Sequence, residues 1–310
     1  MRRLSFCVTR RRVVVSAVAL GLAIVAGVVA APVAGASQLI DRNAQHVTLE
    51  VDAIGEAMIT YEKGGQIKHV LAWGAVNAMP PTRGRRQLAF KLDYSGGYGK
   101  YRKTLYWQTA PWVCLPYDGP ELAWNVGACK APDGSYWALQ AWQRELPDLG
   151  ARASTEQAAW ELHLSHWTGA TPVLSIETDW SYRKFDHLFG TLTYGGLGVY
   201  GFKSSEFGAP LDSFGRNIYV DTFDSAYGKG SRRENSFLTH GPKGSFCYGF
   251  YPHGSSPSGD GTRYRATVEG PGVAPDVMWE GAAPGPYNAL RDAAANAREK
   301  TLGDRNCTVN

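Results

Sequence analysis

Three runs decide the fold: His46-Val47-Thr48-Leu49-Glu50-Val51, Ala57-Met58-Ile59-Thr60-Tyr61 and Lys68-His69-Val70-Leu71-Ala72-Trp73. Apolar and polar side chains alternate through them, and alternation with period two is the mark of a strand with one buried face. The breaks between the runs, Ile54-Gly55-Glu56 and Lys63-Gly64-Gly65-Gln66, carry turn residues. Strand, turn, strand, turn, strand predicts an antiparallel meander.

The same reading extends along the chain. Pro80 and Pro81 end the meander, and Gln87 to Tyr94 alternates again, with Leu88, Phe90 and Leu92 on one face. Ser95-Gly96-Gly97 then turns the chain toward a run from Tyr101 to Trp107. Pro132-Asp133-Gly134 is a turn that leads into a strand from Ser135 to Trp142. Trp160, Leu162 and Leu164 alternate with Glu161, His163 and Ser165, and Leu174, Ile176, Thr178 and Trp180 alternate with Val173, Ser175, Glu177 and Asp179. Leu188 to Tyr194, Gly195-Gly196 and Leu197 to Phe202 read as a hairpin.

Helical signals are few. Ser154 and Gln157 make a capping-box pattern over a short helix ending near Trp160. Gly285 and Pro286 suit the start of a C-terminal helix running through Lys300, whose less polar face would hold Leu290, Ala294, Ala297 and Thr301. The expected class is all-β: one or two β-sandwich-like units, a short mid-chain helix and one C-terminal helix. The polar stretch from Leu146 to Ala153 suggests a division into 37–150 and 151–310.

The first 36 residues read as a leader. Arg2, Arg3, Arg10, Arg11 and Arg12 precede an apolar run from Val13, and Ala34-Gly35-Ala36 has the small-x-small form cut by signal peptidase. Arg10-Arg11 also fits a loose twin-arginine pattern. The sequence therefore predicts secretion, a mature chain from Ser37 and no stable membrane anchor once the leader is removed.

Charge follows the same division. The chain has 32 basic and 28 acidic residues, and the five leader arginines leave 27 against 28. A near-neutral mature chain offers no electrostatic basis for binding nucleic acid.

Four cysteines remain after Cys7, an even number suited to an oxidising compartment. Neighbours in sequence are the most easily joined, so the expected pairs are Cys114 with Cys129 and Cys247 with Cys307. No Cys-x-x-Cys spacing suggests zinc. His163 and His166, three apart, point to opposite faces of a strand, so a metal site with Glu161 is not expected. No cofactor is expected either: Gly195-Gly196-Leu197-Gly198 sits between strands and does not lead into a helix as a phosphate loop would.

Two constellations remain as candidate sites. Glu177-Thr178-Asp179 sets two carboxylates on one strand face, a catalytic arrangement if a third acid joins them. It is similar to the Glu-x-Asp-x-x-Glu or Glu-x-Asp-x-Glu strand of jelly-roll beta-glucanases, and departs from it where Ser181 and Tyr182 stand in place of the second Glu. That resemblance implies polysaccharide hydrolysis; the plainer account is a solvent-facing polar edge. The second constellation lies between Arg216 and His253. Asp221, Asp224, Arg232, Arg233, Glu234 and His240 there offer carboxylates, a basic pair and an imidazole on one polar connection between two strands. They suit a polar ligand, or hold a long loop in place through their own ion pairs.

Aromatic residues such as Trp112, Tyr117 and Trp124 serve equally as core packing or as a platform for sugar rings. The leading functional expectation is a secreted, non-catalytic binding protein of the cell wall or extracellular space, with polysaccharide as the ligand class. A glycosidase-like hydrolase built on Glu177 and Asp179 is the alternative, and a structural or protein-binding inhibitory protein is the third.

Overall fold

A computed structural model of the chain describes residues 37–77, 88–144, 159–199, 203–204, 210–211, 218–226, 228–233, 237–240, 244–251, 260–270, 272–302 and 307. The first elements are β1 (Gln38–Arg42), β2 (Gln45–Val51), β3 (Ala57–Lys63), β4 (Gln66–Trp73) and β5 (Lys91–Asp93). A one-turn helix α1 (Tyr106–Thr109) precedes β6 (Leu115–Pro116), β7 (Asn125–Lys130), β8 (Tyr136–Arg144) and β9 (Ala159–Trp167). Next come β10 (Val173–Ser181), β11 (Phe185–Tyr194), β12 (Leu197–Gly198), β13 (Lys203–Ser204), β14 (Pro210–Leu211) and β15 (Ile218–Ser225). The chain closes with β16 (Gly228–Arg233), β17 (Phe237–His240), β18 (Ser245–Gly249), β19 (Arg263–Val268), β20 (Val277–Ala282) and α2 (Ala289–Thr301).

The protein is mostly β, built on four antiparallel sheets, with two short helices that include a C-terminal one. The meander forms as expected, in the order β2-β3-β4-β5, and Lys63 faces Gln66 across Gly64-Gly65. Both glycines have positive φ, +59° and +74°, the conformation a two-residue hairpin turn requires. This sheet packs on a second, ordered β1-β9-β8-β7-β6. Val51, Ile59, Tyr61 and Val70 from one meet Ile40, Trp137, Leu139, Leu162 and Leu164 from the other in a buried core. Pairing passes across the division suggested near residue 150, because β9 lies between β1 and β8.

The second core lies between the β10-β11-β18-β17 sheet and the β16-β15-β19-β20 sheet. Ile176, Leu188, Leu192, Phe246 and Tyr248 face Val220, Tyr264, Ala266 and Val268. Gly190 pairs with Phe246 in this core, and a Cβ on it would stand 2.3 Å from the phenylalanine ring. Gly190→Ala is therefore expected to cost about 1 to 3 kcal/mol through overpacking, seen as a lower urea midpoint. An unchanged midpoint would show that the ring can step aside.

Several elements differ from the sequence reading. The run at Tyr101 to Trp107, given no element from sequence, is turn and the start of α1. The helix expected from Ser154 falls on residues outside those described, and Ala159 and Trp160 already belong to β9. The segment between Thr222 and Ser245 contains β16 paired with β15 and β17 paired with β18, so strand ladders satisfy much of its backbone.

The C-terminal helix forms, but it is rotated from expectation. Its N-cap is Asn288, whose side chain accepts from the backbone of Leu290 and Arg291 at 3.1 and 3.0 Å. The residues it buries are Asp292, Ala295, Asn296 and Glu299, while Leu290 is 85% exposed. The surface that receives it is polar too, since β10 and β11 present Asp179 and His187 there. Both disulfides form with the expected pairing, with Cα–Cα separations of 5.3 Å for Cys114–Cys129 and 5.6 Å for Cys247–Cys307. The second joins β18 to the residues after α2, where Phe189 and Leu302 pack around it.

Candidate binding site

Register places three tryptophans together. Gln143 lies opposite Trp160, and Trp142 opposite Glu161, where β8 ends and β9 begins. Trp124, just before β7, joins them because its carbonyl accepts the amide of Ala141 at 2.9 Å. Facing this group, β15 and β19 bring Asp221 and Arg265 into register. A small cavity of about 120 Å³ opens between the two sets, lined by Trp124, Trp142, Gln143 and Trp160 on one side and Asp221, Ser231, Arg265 and Thr267 on the other.

Each wall has a distinct character. Trp160 is 49% exposed and offers its ring to solvent. Trp124 is half-buried and held at φ +59°, an unusual backbone angle for a bulky residue. Its indole Nε1 is buried without a hydrogen-bond partner. The Arg265 guanidinium lies 4.9 Å from the ring centres of both Trp124 and Phe223, and Glu280 holds it from behind with contacts of 3.0 Å. Such stacking fixes the guanidinium plane while leaving its charge at the cavity. Asp221 contributes a buried carboxylate nearby.

The floor rests on a buried ionic knot. Trp142 is fully buried, and its Nε1 donates to Asp276 Oδ2 at 2.8 Å. Its ring stacks on His163 with centroids 5.0 Å apart. His163 in turn lies 3.6 Å from Asp276 Oδ2 and 3.5 Å from Glu161 Oε2, and the Ser37 hydroxyl reaches its Nδ1 at 2.9 Å. Burial disfavours the imidazolium, but Asp276, Glu161 and Glu269 outweigh it and push the His163 pKa up to about 9. The floor tryptophan is thus backed by a cation locked among carboxylates. His166 points the other way, as its spacing predicts: it stacks on Trp137 at 3.7 Å and meets Ser135 Oγ at 2.9 Å. Burial drops its pKa to about 4.

The residues singled out in sequence separate into groups. Asp221 lines the cavity. Asp224 closes the β15–β16 turn at φ +53° by accepting the Gly230 amide at 3.0 Å. Arg232 and Arg233 lie on β16 opposite Thr222 and Asp221, and His240 lies on β17 opposite Phe246. Glu234 falls outside the described residues. Glu177 is half-exposed and accepts the Arg298 guanidinium at both oxygens. Asp179 is buried under α2, 2.5 Å from His187 Nδ1, with Glu299 4.0 Å from the same nitrogen. A third acid does reach the pair, yet Asp179 and Glu299 are each only 2% exposed, which leaves no path for a polymer substrate.

Trp160 and Arg265 were not singled out, because nothing local marks them. Pairing between distant strands creates the site, and neither residue carries a motif. No protein-family model, curated protein or solved structure matches the chain.

Proposed function

We propose that the protein is an exported, non-catalytic binding protein that takes a saccharide of the cell wall or extracellular space in the three-tryptophan cavity. One observation carries the reading: exposed Trp160 and strained Trp124 border the same small cavity as a fixed arginine and a carboxylate. Sugar rings present apolar C–H faces and a rim of hydroxyls, so aromatic planes beside charged hydrogen-bonding groups match both parts. Export is supported by the arginine-rich start, the apolar run and Ala34-Gly35-Ala36. Two disulfides agree with an oxidising compartment. Among the described residues no helix is long and apolar enough to cross a membrane.

The test is a glycan array and wall-polysaccharide pulldown with the chain beginning at Ser37, followed by titration of any retained oligosaccharide. Trp160→Ala is expected to weaken binding about tenfold, or ~1.4 kcal/mol, with the melting temperature unchanged. Retention on no polymer, or equal binding by the variant, would defeat the proposal. The burial of Asp179 weighs against the hydrolase alternative.

A further inference from the structure

We propose that Asp179, His187 and Glu299 form a divalent transition-metal site that joins α2 to the β10–β11 hairpin. One potential ligand atom from each residue lies within 4.8 Å of the others, and all three side chains are 97–98% buried. Inside this group Asp179 Oδ2, His187 Nε2 and Glu299 Oε2 have no hydrogen-bond partner. Unpaired polar atoms at this depth are costly, and a metal ion is one of the few occupants that compensates two carboxylates at once.

Charge points the same way. Asp292 and Asn296 are buried on the same helix face, so acids outnumber bases under α2. Arg298, whose charge interacts with Glu299 and Asp179, is engaged by Glu177 at the surface. The similar trio of Glu161, His163 and Glu269 differs because Arg42 already donates to Glu161 at 2.8 Å.

The donor set selects the ion. Two carboxylate oxygens and one imidazole nitrogen are a set that zinc accepts, with a fourth position left for water. Asp179 Oδ1 and His187 Nδ1 stand 2.5 Å apart as a hydrogen-bonded pair and Glu299 Oε1 lies 4.0 Å from that nitrogen, on either side of the roughly 3.3 Å between ligands on a tetrahedral ion with bonds of about 2.0 to 2.2 Å. A bound ion takes the place of the proton between Asp179 and His187, and the two ligand atoms part toward that value. The rotated helix then has a purpose: its acids face inward because they are ligands and neighbours of a cation.

The competing occupant is a proton shared between Asp179 and Glu299, and the experiment separates the two. The disulfide-bonded protein is stripped with chelator, then titrated with zinc and, separately, with cobalt. One-to-one zinc binding is expected, with a rise in Tm of about 5 to 10 °C at a hundredfold excess over Kd. Visible absorption bands of tetrahedral cobalt should appear. Glu299→Gln mimics the protonated acid, so it should keep the metal-free Tm and lose both responses; Asp179→Asn should lose them too. A wild-type protein with no zinc response and no cobalt bands would overturn the proposal and leave the shared proton. An undiminished response in folded Glu299→Gln would overturn it as well.

Discussion

His163→Asn is expected to destabilise the protein by about 3 to 5 kcal/mol at neutral pH, the usual cost of removing one partner from a buried ionic group. His163 is 2% exposed and faces Glu161 on its own strand, Asp276 and Glu269 from the segment between β19 and β20, and the Ser37 hydroxyl at the start of β1. Arg42 answers one oxygen of Glu161, so removing the imidazolium leaves Asp276 and Glu269 without their nearest cation on β9. Asparagine keeps a donor and supplies no charge.

The pH dependence has a definite sign. The folded pKa, about 9, exceeds the ordinary 6.5. Stabilisation is therefore complete below about pH 6.5 and is lost as pH rises through about 9. At ~1.4 kcal/mol per unit the gap is on the order of 3 kcal/mol. Urea unfolding from pH 6 to 10 should show this loss in the wild type and a much flatter profile in His163→Asn. Parallel profiles would mean that His163 is neutral when folded. Because Trp142 stacks on this ring, the variant should also disturb the saccharide cavity.

The second large effect is expected from Cys247→Ser/Cys307→Ser. The bond closes a separation of 60 residues, for which chain entropy predicts a loss of about 4 kcal/mol; the Cys114–Cys129 bond, with a separation of 15, is worth about 3 kcal/mol. Local structure sharpens the expectation. The inner face of α2 is polar, so apolar burial contributes little to holding it, and the covalent tie carries more of that task. Hydrogen exchange should quicken first at amides from Ala295 to Glu299, while β15 and β19 keep their protection. A uniform loss of protection would show instead that the bond supports the whole second sandwich.

These effects mark where the sequence was legible. Alternation located the meander and most of β8 to β11, because those strands each bury at least one face of apolar residues. Neighbour pairing of cysteines was also readable. Glu161, His163 and Ser165 were harder: polar residues on alternate positions ordinarily face water. Here β9 is buried on both faces, and Ala274 and Asp276 cover the polar one. The buried face of the C-terminal helix was hidden in the same way. Leu290 and Ala294 looked inward by composition, yet Asp179 and His187 on the receiving strands decide which side docks, and local periodicity holds no record of a distant partner. The cavity was legible in part: Asp221 was selected, while Trp160 and Arg265 needed the register of β8 with β9 and of β15 with β19.

The polar underside of α2 also bears on colloidal behaviour. Most helices that detach from a globule uncover hydrocarbon, and partly opened molecules then adhere to one another. Opening this one uncovers Asp179, Asp292 and Glu299, and the last two, whose carboxyls burial holds above their usual range, gain negative charge on meeting water. Molecules with a broken Cys247–Cys307 bond should therefore repel their copies along the newly bared surface, so an element that depends on a covalent tie is also among the least adhesive of the fold.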